Sequence, residues 1–206
     1  MSSVLAFKRT QRRPALPEVA PVPWKWTREE FGRLSELGFF GNRRVMLIEG
    51  EVLAMSPMNE PHARGIIFAT EAVHNFFPAG VTIRTQLPMD FGQSTDPEPD
   101  LAVIAGSSRS QPATPPTSAL LVIEVSDSSL SFDLGDKANL YAAAGIADYW
   151  VLDVVNGRLH VHRDPRPDST CRFGHCYAQV RGLWPSDRVA PLAAPGHSIP
   201  VSDFLP

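Results

Sequence analysis

A carboxylate stands in the middle of the chain's most apolar run. Leu120, Leu121, Val122 and Ile123 lead into Glu124, and Val125 resumes the run. A short apolar stretch rich in β-branched residues reads as a buried strand. An ionised carboxylate left alone in such a strand costs several kcal/mol or takes up a proton. Whatever fold forms must therefore bring a cation or a set of donors to Glu124.

The 206 residues suffice for one domain with its own core, and 43% hydrophobic and 20% charged content belong to a globular chain. Domain boundaries are expected at residues 1–23, a Pro-bearing basic leader read as disordered, and 24–206, a single domain. The leader carries Lys8, Arg9, Arg12 and Arg13, which suit either solvent or phosphates. The net charge of −3 argues against a chain that coats nucleic acid indiscriminately. No apolar segment follows the leader's charges, and no run approaches the roughly 20 residues of a membrane span. A cytoplasmic protein with no membrane contact is the expectation.

Thr27 and Glu30 form a capping-box pattern for a short helix through Phe31, Leu34 and Leu37, ended by Gly38. Two apolar runs then flank Glu49-Gly50, predicting a hairpin. Pro61 and His62 open a helix whose inner face runs through Ile66, Ala69, Val73 and Phe76, with Pro78 and Gly80 as the stop. His62 lies four residues before Ile66, on that same face. Strands are predicted over VTIRTQLPMDF, PDLAVI and ALLVIEVSD, with a Pro/Ser-rich loop from Ser107 to Ser118. A helix over Asp133 to Ala144, capped by Gly145, precedes the strand DYWVLDVV. Asn156-Gly157 turns that strand into RLHVHR. The remainder, from Asp164, offers only short strand-like pieces. This order predicts an α/β (α+β) chain: a mixed β-sheet flanked by helices, with an N-terminal β-hairpin.

Asp100 opens one strand and Glu124 lies inside the next. Neighbouring strands run about 4.8 Å apart, so both carboxylates can project from one region of the sheet. Two such groups stay ionised together only beside a cation, and hard oxygen ligands suit Mg²⁺ or Mn²⁺. The other reading makes Asp100 a strand cap and pairs Glu124 with a buried Arg or Lys. Asp133, Lys137 and Tyr141 follow at i, i+4 and i+8, on one helix face. Aimed at the carboxylates, Lys137 offsets charge that develops on a phosphate or orients an attacking water. Cys171 and Cys176, with His160, His162 and His175 nearby, give only a weak zinc spacing.

Taken together, LIEGEVLAMSP, His62, PEPDLAVI, LVIEVSD, DLGDKANLYAAAGIADYWVLD and IPVSDFLP resemble the Uma-two family of restriction endonucleases, within the PD-(D/E)XK nuclease superfamily. The likeness spans residues 27 to 206. It implies a restriction-endonuclease-like fold and a metal-dependent DNA endonuclease. Asp100 and Glu124 would be metal ligands, joined by the Val125 carbonyl and by Glu51, and Lys137 and His62 would take part in catalysis. The superfamily pattern has Lys two residues after the Glu, where Ser126 stands here; in this family the following helix supplies it, as Lys137. Relatives often carry Glu where Met46 stands. Those two departures and the acidic net charge leave a second expectation, a catalytically inactive nuclease-fold binding module. DNA is the expected partner, and a homodimer follows by analogy with nucleases that cut both strands.

Overall fold

The computed structural model describes residues 21–77 and 79–206. The expected basic leader therefore lies almost wholly outside the described residues, as does Pro78. Helix α1 (Arg28–Glu36) opens with the expected capping box. The Thr27 hydroxyl accepts from the Glu30 amide at 3.2 Å, and the Thr27 amide donates back to the Glu30 carboxylate at 2.9 Å.

Strands β1 (Val45–Ile48) and β2 (Glu51–Ala54) form the N-terminal hairpin. Both turn residues have positive φ, 47° at Glu49 and 75° at Gly50. Gly suits its position, whereas Glu49 is held there by its amide donating to the Thr95 hydroxyl at 3.0 Å. A Cβ at Gly50 would lie 2.8 Å from Lys25 Cβ, so the turn admits no larger residue.

Among the described residues the main sheet has six strands in the order β3-β4-β5-β6-β7-β8: Val81–Thr85, Leu101–Ala105, Leu121–Ser126, Asp148–Asp153, Arg158–Pro167 and His175–Leu183. Only β5 and β6 pair in parallel. A parallel pair needs a crossover. It is made by α3 (Leu130–Phe132), a π-turn (Asp133–Lys137) and α4 (Ala138–Ala143).

Alternation along β5 divides the core. Leu121, Ile123 and Val125 face helix α2 (Glu60–Phe76), which lays Ile66, Ala69, Val73 and Phe76 on that side. Val122 faces α4, against Ala138, Tyr141 and Ala142, and Glu124 shares that side. On the α2 side Phe204 closes the core, its ring 6.0 Å from Phe76 and 5.7 Å from Trp150. The short pair β9 (Arg188–Val189) and β10 (Ile199–Pro200) leads the chain there. Asp148, fully buried in β6, accepts from Arg163 Nε at 2.8 Å and the Leu192 amide at 2.7 Å, anchoring this C-terminal segment.

The expected mixed sheet with flanking helices and an N-terminal hairpin is present. Three elements differ from expectation. The strand predicted over VTIRTQLPMDF stops at Thr85, because Gln86 turns to φ 51°. The helix predicted from Asp133 starts at Leu130 and carries the π-turn. The region after Asp164 holds a nine-residue strand, β8, where only short pieces were expected; it is held by its ladder to β7, with most of its residues exposed. No helix among the described residues is long and apolar enough to cross a membrane.

Candidate active site

Register brings the two acids together. Leu101 pairs with Ile123 in the antiparallel β4–β5 ladder, and one step further along places Asp100 opposite Glu124. Asp100 Oδ2 accepts from the Val125 amide at 2.9 Å, and the Asp100 amide points at Glu124 Oε2 at 3.4 Å. Both side chains are withdrawn from solvent, Asp100 4% and Glu124 1% exposed.

The crossover supplies the cation. Lys137 Nζ lies 2.9 Å from Glu124 Oε2 and 3.4 Å from Asp133 Oδ1. Tyr141 donates its hydroxyl to Glu124 Oε1 at 2.7 Å. Asp133, Lys137 and Tyr141 thus share a face as their spacing predicts, although the first two stand on a π-turn. Such wide turns recur at functional sites, and this one ends at Lys137. Ser126, two residues after Glu124 on the same strand face, points its hydroxyl at Ser129 instead, 3.3 Å away.

The charges follow from burial and contact. Burial, with Asp100 and Asp133 as like charges, pushes Glu124 up to about 7 despite Lys137 beside it. Burial disfavours the Lys137 charge, but the Glu124, Asp133 and Asp100 carboxylates outweigh it and hold the amine cationic. For Asp100 burial opposes ionisation, and the His62 contact, Lys137 and the Val125 amide together prevail, so its carboxyl lies below the usual range. The Asp100 hydrogen bond raises His62.

Helix α2 brings His62 in. Asn59 caps it, accepting from the His62 amide at 3.1 Å, and His62 Nε2 reaches Asp100 Oδ1 at 3.1 Å. Gly65, one turn along, permits the approach: a Cβ there would meet Val125 Cγ1 at 2.6 Å and Val154 Cγ1 at 3.1 Å. Gln86 completes the setting of Asp100, its side-chain amide donating to Oδ1 at 3.2 Å. Its left-handed backbone is held by hydrogen bonds from its own amide to the Pro99 and Asp100 carbonyls, both 3.1 Å.

These groups line one open cleft of about 290 Å³ between the sheet, the π-turn and the open end of the hairpin. Its wall includes Asp100, Glu124, Val125, Lys137 and His62, and also Arg44 and Asp127, which sequence reasoning missed. Nothing marks Arg44 in sequence, since only the fold of the hairpin turns it to the cleft. Glu51 is not part of the wall. It lies at the turn end of the hairpin, away from the open end, where its carboxylate pairs with Lys25 at 2.7 Å and Arg172 at 3.6 Å. Met46 lines the cleft with an apolar side chain.

The donor set fits a hard divalent cation. Two carboxylates from paired strands open on one cleft, oxygen donors of the kind such a cation takes, and Asp133 Oδ1, also in its wall, has the Lys137 amine at 3.4 Å. Zinc fits less well at the tip of the β7–β8 hairpin: Cys171 and Cys176 are joined as a disulfide, which removes both thiolates as ligands. The nearest further ligand atom is a carboxylate oxygen of Asp168.

A family model, Uma2, described as "Putative restriction endonuclease", matches residues 28–201. The fold is shared with the crystal structure of a putative nuclease belonging to DUF820 from Anabaena variabilis. That match has a TM-score of 0.64 at 15% identity, and covers 86% of this chain and 96% of that one. No protein of curated function matches the chain.

Proposed function

This chain belongs to the Uma2 family, and from that premise we propose that it is a nuclease of the PD-(D/E)XK type, hydrolysing phosphodiester bonds in DNA with Mg²⁺ or Mn²⁺. Residues 24–206 act as one catalytic domain. The observation that carries the reading is the meeting of Asp100, Glu124 and Lys137 in a single cleft, with Lys137 Nζ 2.9 Å from Glu124.

Asp100, Glu124 and the Val125 carbonyl form the oxygen donor set. When bound, the cation supplies a Lewis acid and lowers the pKa of a coordinated water. Lys137, kept cationic by three carboxylates, is no proton acceptor; it offsets the negative charge that gathers on the phosphate as water attacks. Tyr141 fixes one oxygen of Glu124, while His62 and Gln86 fix one oxygen of Asp100. Arg44 on the cleft wall gives the DNA backbone a positive contact. A homodimer would place two such clefts on opposite strands.

Plasmid DNA incubated with the protein and Mg²⁺ or Mn²⁺ should be nicked or linearised, and Asp100→Asn should abolish this. Equal cleavage by wild type and Asp100→Asn rejects the assignment. One observation favours the inactive binding module instead: both Glu124 oxygens are already engaged, by Lys137 and Tyr141. Retarded migration of intact DNA in a gel, with no cleavage in either metal, would select that second reading.

A further inference from the structure

The β7–β8 hairpin reaches from its own end of the sheet to the back of the cleft. Its tip is folded by the Asp168 amide donating to the Gly174 carbonyl at 2.8 Å and the Gly174 amide to the Cys171 carbonyl at 2.9 Å. The Cys171–Cys176 disulfide closes the tip into a short ring. Within that ring stand Arg172 and Phe173. The Arg172 guanidinium forms ion pairs with Asp136 of the π-turn and, at 3.6 Å, with Glu51 of β2. Phe173, its ring 5.2 Å from that guanidinium, packs into the cluster of Met46, Ile48 and Leu140. One ring therefore touches, from outside the cleft, both elements that wall it: the π-turn that delivers Lys137, and the hairpin that presents Met46.

We propose that Cys171 and Cys176 form a redox-responsive clasp on the cleft. Closed, the ring holds Arg172 and Phe173 in place against the π-turn and the hairpin. Opened, it releases them, and Lys137 is presented to Glu124 less rigidly. The clasp depends on the ring because its ion pairs are half-exposed. Arg172 and Asp136 are each 38% exposed, and such pairs gain little once two side chains must be ordered to form them. A ring that limits the loop's conformations beforehand removes part of that cost. Neither cysteine is buried, so a small reductant has access. Opening is thiol–disulfide exchange with a dithiol. One thiolate of the reductant attacks a sulfur, the S–S bond breaks, and a mixed disulfide forms; the reductant's second thiol displaces the remaining cysteine. Two electrons and two protons pass to the protein as two thiols, and the reductant leaves as a cyclic disulfide. The consequence for cleavage, though not for the clasp itself, rests on the nuclease reading above.

The test is hydrogen–deuterium exchange on the full chain, oxidised and after dithiothreitol, with intact mass recording the gain of two hydrogens. Reduction should speed exchange several-fold in residues 130–143 and 45–54 while leaving α2 unchanged. Cys171→Ser/Cys176→Ser should reproduce this without reductant, and Arg172→Ala should show the fast exchange in both redox states. The proposal is overturned if reduction leaves both segments unchanged, if protein purified without reductant carries two free thiols, or if exchange rises uniformly through α2 and the central strands. Plasmid cleavage followed in parallel should fall several-fold on reduction. Cleavage in neither state counts against the nuclease reading alone, and the exchange data still decide the clasp.

Discussion

Glu124 and Lys137 form a buried pair, 1% and 3% exposed, and each makes the other tolerable. Removing one partner of such a pair costs about 3–5 kcal/mol, because the survivor is left as an uncompensated charge. Lys137→Met should therefore lower stability to urea by about that much. The double variant Glu124→Gln/Lys137→Met should recover most of the loss, because neither charge remains. Losses that simply add would show that the two side chains do not depend on each other. The pair of acids was legible in sequence, since Asp100 immediately precedes one strand and Glu124 lies inside its neighbour at a separation that register then aligns. Of the two readings of Glu124 left open by the sequence, the geometry shows the pairing with a buried lysine, and the shared cation is the proposal made above. Gln86 was not legible. Its grip on Asp100 depends on a positive φ that nothing in TQLPMD announces.

At the scale of elements, the position of His62 depends on how closely α2 lies on the sheet. Gly65→Ala puts a methyl group 2.6 Å from Val125 Cγ1, so the helix or the strand must shift. A loss of about 1–3 kcal/mol is expected, measured by denaturation, as for other overpacked interiors. The His62–Asp100 contact should lengthen in a crystal structure of the variant, and an unchanged contact would show that α2 reaches the site without the glycine. Gly135 in the π-turn is the opposite case. No heavy atom lies within 4 Å of its Cβ direction and its φ is not left-handed, so Gly135→Ala should raise stability by about 0.4–1 kcal/mol. A loss of stability there would mean that the wide turn itself requires glycine. Periodicity located α2 because its apolar face is long and regular. It missed the π-turn because Asp133, Lys137 and Tyr141 fit an ordinary helix face equally well. It also missed the length of β8, whose alternation is weak because most of its residues face solvent.

Across the whole molecule, the sheet order places the chemistry at the β4–β5 pair and a second titrating group, His162, two strands away on β7. His162 is buried between the Tyr149 and Tyr177 rings with its Nε2 lacking a hydrogen-bond partner. Burial, with His160 beside it, lowers its pKa from 6.5 to about 4. Between those values the unfolded chain binds the proton and the folded chain does not. Stability is therefore complete above about pH 6.5 and falls as the solution is acidified toward pH 4, by up to about 3 kcal/mol. His162→Phe should flatten that part of the pH–stability curve, and a variant as acid-sensitive as wild type would assign the loss elsewhere. The mixed sheet, its hairpin and its flanking helices followed from the order of apolar runs and turn residues. The path of the C-terminal segment did not, because it is fixed by contacts distant in sequence, such as Asp148 with Leu192. The account as a whole rests on Asp100 and Glu124 sharing a divalent cation. Titration calorimetry with Mn²⁺ on wild type, Asp100→Asn and Glu124→Gln measures this directly. The account requires saturable binding to wild type that disappears in both variants, and it is contradicted if wild type shows no such site or if either variant binds Mn²⁺ as wild type does.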